Sequence, residues 1–247
     1  MNTDDFTGRV ALVTGGARRL GAGIVRELHA RGMRVVVHYR GSEADARALQ
    51  DELDAVRAGD VALVTADLAA IETPQRLVDF TRETFGRLDL LANNASLFHP
   101  TPLATLTRAE WDAMQGVNLA APVFLVQAAA PLLAEHGGSV VNLTDAYLVR
   151  PRAKHTAYVA AKAGLAALTQ ALARELAPAI RVNAVAPGAL LWPEPDPPSM
   201  VKEQVLARIP LGRLGTPADV GRAVAYLAGE SYLTGVTIPV DGGFSFG

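Results

Sequence analysis

The sequence predicts an α/β fold: one doubly wound parallel sheet with helices on both faces, spanning residues 1–247 as a single domain. Three observations lead there. Short apolar runs rich in Val and Leu alternate with longer amphipathic segments along the whole chain, with neither an internal repeat nor a linker. The first run passes into the first helix through a glycine-rich stretch. Half of the residues are hydrophobic but only 6% are aromatic, so the core must be Ala, Val and Leu, which suits a parallel sheet closely covered by helices.

The elements follow in order. Residues 9–14 (RVALVT) form a buried strand bounded by Gly8 and Gly15, and residues 22–31 a helix with Ile24, Val25 and Leu28 at core spacing. Between them lies TGGARRLG, residues 14–21. Strand, glycine-rich turn and helix set backbone N–H groups and a positive helix end against a pyrophosphate, so a dinucleotide site is expected here. The second strand, 34–39 (RVVVHY), decides which dinucleotide. An acid at its end would take a ribose 2′-hydroxyl, but the chain reads His38-Tyr39-Arg40-Gly41-Ser42 with no carboxylate before Glu43. Arg40, Ser42 and Arg18 suit a 2′-phosphate instead, or are ordinary solvated side chains; the missing acid favours NADPH.

Residues 42–58 read as a helix, 61–65 (VALVT) as a strand, 74–85 as a helix and 88–92 as a strand. Asp67, followed by Leu68, either meets an adenine amino group or caps the segment starting near Thr73. Asn93, Asn94, Ala95 and Ser96 either satisfy turn backbone or border the ligand crevice at the sheet's C-terminal edge. A helix from about Thr107 carries Asn118, a lone amide in an apolar stretch, which needs partners: a structural water or a proton relay. Residues 138–143 are a buried strand, and a helix runs from Tyr158 to Leu176. Residues 180–184 form a strand that Pro187 and Gly188 turn the chain away from. A Pro-rich stretch at 188–198, within a substrate loop at about 188–212, is followed by helices at 199–208 and 217–229 and a last strand at 237–240.

Composition removes several classes of function. A net charge of −2 with mixed signs gives no polyanion-binding signature, so no nucleic acid partner is expected. With no cysteine, disulfides and thiolate metal sites are impossible; the five histidines show no metal-binding spacing, so no metal is expected. The acidic N-terminal segment looks like neither a signal nor a transit peptide, and no apolar run reaches the roughly 18 residues that span a bilayer. A soluble cytoplasmic protein is expected, with no membrane partner.

The chemistry centres on residues 142–162. Asp145 follows a strand end, and Tyr158 and Lys162 are four apart, on one face of a helix. An ammonium beside a phenol favours phenolate, which predicts a lowered pKa for Tyr158 and proton transfer near neutral pH.

Thr14-Gly15 with Gly21, Asp67, Asn93-Asn94-Ala95, Asn118, Tyr158-x-x-x-Lys162, Pro187-Gly188 and Asp241-Gly242-Gly243 together resemble the short-chain dehydrogenase/reductase family over essentially the whole chain. The resemblance implies a Rossmann-type sheet. Two departures stand out: Arg19 where that family has a second turn glycine, and Asp145 where it has a catalytic serine. Both resemble the pteridine reductase branch, as do His38-Tyr39-Arg40, Phe98 after Asn93-Asn94-Ala95-Ser96, and Pro100-Thr101-Pro102-Leu103. By that resemblance Asp145, Tyr158, Lys162 and Asn118 are catalytic. NADPH would meet Gly15, Arg18, Arg19, Leu20, Gly21, His38, Tyr39, Arg40, Ser42, Asp67, Leu68, Asn94, Ala95, Ser96, Tyr158, Lys162, Pro187 and Gly188. A pterin or folate would stack on Phe98 and meet Arg19, Ser96, Asp145, Tyr158, Leu190 and Trp192. A homotetramer is also implied, and the small-residue faces at 121–130 and 157–173 suit close packing across a two-fold. Two rivals remain: a carbonyl reductase, which predicts serine at position 145, and a non-catalytic NADPH-binding sensor, which requires neither Tyr158 nor Lys162.

Overall fold

A computed structural model describes residues 5–192 and 196–246. The chain runs β1 (Val10–Val13), α1 (Arg19–Ala30), β2 (Arg34–Tyr39), α2 (Glu43–Asp54), β3 (Val61–Thr65), α3 (Thr73–Phe85), β4 (Leu90–Asn93) and α4 (Arg108–Gln115). It continues with α5 (Ala121–Ala134), β5 (Ser139–Leu143), α6 (Thr156–Glu175), β6 (Arg181–Pro187), α7 (Ser199–Leu206), α8 (Pro217–Gly229) and β7 (Thr237–Val240). All seven strands are parallel, in the order β3-β2-β1-β4-β5-β6-β7. The doubly wound sheet expected from the alternating pattern is what the chain forms.

Successive strand residues face opposite ways, and the core divides accordingly. Ala11 and Val13 of β1 and Val35 and Val37 of β2 pack with Ile24, Val25 and Leu28 of α1 and Val220 and Val224 of α8. Leu12 and Val36 face the other layer, with Leu77 and Val78 of α3 and Leu125, Val126 and Leu133 of α5. This is why the strands read as continuous apolar runs: both faces are covered. The order reverses between β1 and β4, whose C-terminal ends open the crevice where such sheets bind ligands.

Element ends shift from the sequence reading where backbone geometry overrides pattern. Helix α1 begins at Arg19, three residues before the start read from the sequence, so Arg19, Leu20 and Gly21 belong to its first turn. Strand β4 reaches Asn93, because Asn93 pairs in register with Asn142 of β5. Thr107 starts α4 with a capping box, its hydroxyl accepting from the Glu110 N–H while the Glu110 carboxylate takes the Thr107 N–H.

The helix expected from Thr107 is unbroken from Arg108 to Ala134, α4 and α5 being joined by one π-helical turn, Gly116–Ala120. Over 18 of its residues the mean hydropathy is 1.7, enough by length and composition to cross a membrane. The core helix of a globular protein meets the same measure, and half of this window is buried. Asn118 and Gln127 interrupt the stretch, so it is not the uninterrupted apolar run that the sequence reading sought. In this protein the helix packs against α3 and α6.

Candidate active site

The glycine-rich turn after β1 is held from three sides. Thr14 Oγ1 accepts the N–H groups of Asn94 and Ala95, both at 3.0 Å. The Asn94 side-chain amide donates to the carbonyls of Thr14 (2.8 Å) and Gly15 (3.0 Å). Gly15 sits at φ +60°, and a Cβ on Gly21 would lie 2.0 Å from the Gly15 carbonyl oxygen, so the turn folds onto α1 only because position 21 has no side chain. Helix α1 has no side-chain cap and no acid in its first turn. Its leading N–H groups and positive end are left for an anion, with Arg18 exposed at the N-cap.

His38 supports the turn from below. It is buried at the end of β2, its Nδ1 accepting the Gly15 N–H at 3.2 Å while its Nε2–H donates to the Ala66 carbonyl at 3.1 Å. Only the neutral ring can do both. Burial pushes its pKa down, Arg76 adding to that and the Ala66 bond and Asp67 opposing it. Expected as a cofactor contact, His38 instead acts through Gly15. Its folded pKa lies below its unfolded value of about 6.5, so the stability it contributes is present above that pH and is lost as pH falls. His38→Asn should therefore flatten the loss of thermal stability between pH 7 and pH 5, measured by calorimetry. It should also weaken NADPH binding at pH 7.5, because the turn loses its prop.

Beyond β2, Arg40 is exposed, its Nη1 4.0 Å from Asp67 Oδ2, and Ser42 begins α2 without a capping bond. Asp67 does not cap α3 with its side chain. Its Oδ1 takes the Ala69 N–H, and its carbonyl accepts the Thr73 hydroxyl at 2.7 Å. Tyr39 is half-buried, and its carbonyl accepts the Ala66 N–H.

The other wall is built from β5 and α6. Asp145 leaves β5 in extended conformation and caps a short 3₁₀ turn, Ala146–Val149, through Oδ1 and the Tyr147 N–H at 2.7 Å. Its Oδ2 accepts the Tyr158 hydroxyl at 2.6 Å. Lys162, one turn along α6, is buried and donates to the Leu143 carbonyl at 2.7 Å. Burial drives the Tyr158 phenol well above its usual value, and the Asp145 charge and hydrogen bond push the same way against Arg152. The expected lowering by Lys162 is not met: its ammonium faces Leu143, and a carboxylate occupies the phenol instead. Lys162 itself is pushed down to about 8, by burial against the opposing pull of Asp145. The phenol is thus held as a proton donor.

Asn118 sits in the π turn, where an extra residue redirects a side chain. Its Oδ1 accepts the Leu97 N–H and its Nδ2 donates to the Leu97 carbonyl, both at 2.9 Å, with Met114 Sδ at 3.0 Å. The amide thereby fixes the segment after β4. That segment carries exposed Ser96 and the half-exposed ring of Phe98. Phe98 meets Tyr158 edge-on at 4.8 Å and stacks on His155 at 4.9 Å.

Two of the expected contact residues have buried side chains. Leu68 lies in the core with α3, and Leu190 packs in the α1 and α8 core against Gly215, so neither side chain faces the crevice. Leu20 leans on the same core as Leu190. Pro187 ends β6, and the Gly188 N–H donates to Val240, tying the loop to β7. Of the Pro-rich stretch at 188–198, residues 193–195 lie outside the described residues. Trp192 is half-buried, and its carbonyl accepts from Arg19 at 3.3 Å, bringing the loop across the glycine-rich turn. Arg19 itself has φ 52°, a left-handed conformation that glycine would adopt freely.

The sequence reading missed Arg152, Tyr147 and His155. Arg152 lies 4.0 Å over the Tyr147 ring and 5.8 Å from that of Phe98, and a small cavity is lined by Asp145, Tyr147, Leu148, Arg152, Tyr158 and Val159. The signal was present in RPRAKH, residues 150–155, immediately before α6.

A parallel sheet with a glycine-rich turn at its switch point, facing a tyrosine and a lysine on α6, defines an oxidoreductase that uses a nicotinamide dinucleotide. The family model described as enoyl-(acyl carrier protein) reductase matches residues 15–245, and the chain belongs to the short-chain dehydrogenase/reductase family. Among its relatives, a 3-oxoacyl-[acyl-carrier-protein] reductase of Staphylococcus aureus is 37% identical, over 94% of this chain and 96% of its own. Pteridine reductase 1 of Leishmania tarentolae is also 37% identical, over 98% of both chains. A 3-oxoacyl-[acyl-carrier-protein] reductase of Synechocystis is 35% identical, over 96% and 97%.

Proposed function

We propose that the protein is an NADPH-dependent pteridine reductase, taking a dihydropterin or dihydrofolate to its tetrahydro form, with the fully oxidised pterin as a further substrate. The observation that carries this reading is the carboxylate of Asp145 in contact with the Tyr158 hydroxyl at 2.6 Å. An ionised carboxylate accepts hydrogen bonds and cannot donate one to a ketone oxygen, whereas it suits a heterocycle bearing N–H donors.

The cradle fits the cofactor: an uncapped α1 with exposed Arg18 at its N-cap, a turn closed by Gly15 and Gly21, and exposed Arg40 with half-buried Ser42 beyond β2. Bound NADPH supplies a hydride. Tyr158 holds the proton for the substrate nitrogen, directly or through water, and Asp145 orients the phenol and receives N–H groups of the ring. Lys162 supplies the positive charge that offsets the phenolate left behind. Phe98 offers a flat apolar platform opposite the nicotinamide, as a heteroaromatic ring requires. Ser96 and Arg19 would, by the same reading, contact both cofactor and substrate.

Steady-state rates with NADPH on dihydrobiopterin, dihydrofolate and a 3-oxoacyl thioester test the reading. Turnover of the thioester, with none of either dihydropterin, would overturn it in favour of a carbonyl reductase. Binding of NADPH without turnover of any of them would favour the sensor. The reading includes tighter binding of NADPH than NADH, supported by Arg18, Arg40 and Ser42 near the ends of β1 and β2 and by the lack of a carboxylate at the end of β2 itself. Equal dissociation constants in direct titration would contradict it. We also place the protein in the cytoplasm as a homotetramer, for which sedimentation at micromolar concentration is the check: a stable monomer is the contrary result.

A further inference from the structure

We infer that Arg150, Arg152 and Lys154 form a subsite for an anionic substituent of the substrate, so that pterins whose side chain ends in carboxylates are preferred over neutral hydroxyalkyl pterins. The inference rests on the pteridine reading above and assigns the side-chain end of that same site.

Three observations carry it. The chain has a net charge of −2, yet Arg150, Arg152 and Lys154 stand within five positions between Asp145 and Tyr158, all exposed and none in an ion pair among the described residues. Second, Arg152 is already seated at the site. Its guanidinium covers the Tyr147 ring at 4.0 Å and reaches the Phe98 ring at 5.8 Å, and it helps line the cavity beside Asp145 and Tyr158. A guanidinium stacked on rings keeps its N–H edge free to bind a carboxylate in bidentate fashion.

Third, among the described residues only two other than glycine have positive φ, Arg19 at 52° and Lys154 at 62°. Both are cations: Arg19 opens α1 at the glycine-rich turn, and Lys154 lies just before α6. The strain at Lys154 is held by its own carbonyl, which accepts the Thr101 N–H at 2.6 Å, and by the bridge between Thr101 and His155. Non-glycine residues persist in this region where the surroundings enforce it, commonly at ligand sites. Here it lies between Arg152 and His155, both of which meet the Phe98 ring.

The placement favours a small substituent over a protein surface. Arg152 is turned inward onto the rings that flank Tyr158, within reach of a group continuing from a ring stacked on Phe98. A dicarboxylate such as a glutamyl tail has the size and charge to meet Arg152 first and then Arg150 and Lys154.

The test uses steady-state kinetics with NADPH on dihydrobiopterin, dihydropteroate, and dihydrofolate carrying one or three glutamates. kcat/KM should rise along that series and fall with added salt for the glutamylated substrates, the change lying in KM. In Lys154→Gly, which relieves the left-handed backbone and so does not threaten folding, and in Arg152→Ala, the ratio of kcat/KM for the triglutamate over dihydrobiopterin should drop roughly tenfold or more. Equal kcat/KM along the series, with dihydropterins turned over, overturns this inference and leaves the pteridine reading standing. No turnover of any dihydropterin overturns both. A preference for a carrier-protein-bound 3-oxoacyl thioester, lost in the same variants, would assign the basic rim to an acidic protein and likewise overturn it.

Discussion

Replacing Asp145 by serine is expected to lower the turnover number for dihydropterin by roughly 10²-fold or more, the usual scale of a proton-transfer contribution. The wild-type carboxylate does two things at once. Its Oδ1 caps the 3₁₀ turn that carries Tyr147, and its Oδ2 holds the Tyr158 hydroxyl. A serine hydroxyl can accept the Tyr147 N–H and so preserve the turn, but it then offers the phenol a weaker partner without charge. Loss of the negative charge also removes one of the influences that raise the Tyr158 pKa, leaving burial, the largest of them. NADPH affinity should hardly change, since the turn around Gly15 and the Lys162 contact to Leu143 lie apart from the substitution. A fall in turnover with unchanged cofactor binding would place the defect in the chemical step or in substrate placement. Near-wild-type turnover of dihydropterin by Asp145→Ser would remove the main argument for a pteridine reductase over a ketone reductase. A gain of 3-oxoacyl reduction in the same variant would show that position 145 alone selects between the two chemistries.

The fold was legible because it depends on patterns the chain repeats. Continuous Val and Leu runs meant strands covered on both faces, and β1, β2 and β3 fall within or on the ranges that pattern marks. At the site, what could be read was residue type at a strand end or on a helix face: Asp145, Tyr158 and Lys162 do converge. What could not be read was direction. His38 looked like a cofactor contact, but strand alternation turns it inward beneath Gly15. Asn118 was read as an amide in need of partners, and a single π turn, invisible in a helical period, points it at Leu97. Leu190 looked like a substrate contact, yet the open space above Gly215 draws it into the core. Arg152 was missed for the opposite reason: a cation in a polar loop reads as solvated until the rings it covers are in place.

The Lys162→Met variant should separate the catalytic value of the buried ammonium from its effect on stability. Turnover should fall by roughly 10²-fold or more, because the charge that offsets the developing phenolate is gone. Stability should behave differently. Burial holds the folded pKa of Lys162 at about 8, against an ordinary value of 10.5. At neutral pH the ammonium is protonated in both states, and the folded state bears the cost of its burial. Between pH 8 and pH 10 the folded protein releases this proton while the unfolded chain keeps it. The unfolded state then binds more protons, and stability rises with pH by about 2–3 kcal/mol from this group. Tyr158 opposes the trend above about pH 10, where an unfolded phenol ionises and the buried one does not. The window is therefore pH 8 to 10, read by urea unfolding of both proteins so that shared titrations cancel. Methionine keeps the volume and removes the charge but strips the Leu143 carbonyl of its donor, at about 1–3 kcal/mol. At pH 7.5 the two effects largely offset, so the proteins should be of similar stability; by pH 10 the wild type should be clearly the more stable. Over the same range kcat/KM of the wild type should decline as pH rises through about 8, because the form that gains stability is the one that has lost the charge needed beside Tyr158. Parallel stability curves for wild type and Lys162→Met from pH 8 to 10 would show that Lys162 does not titrate there, and would refer any alkaline limb of kcat/KM to another group.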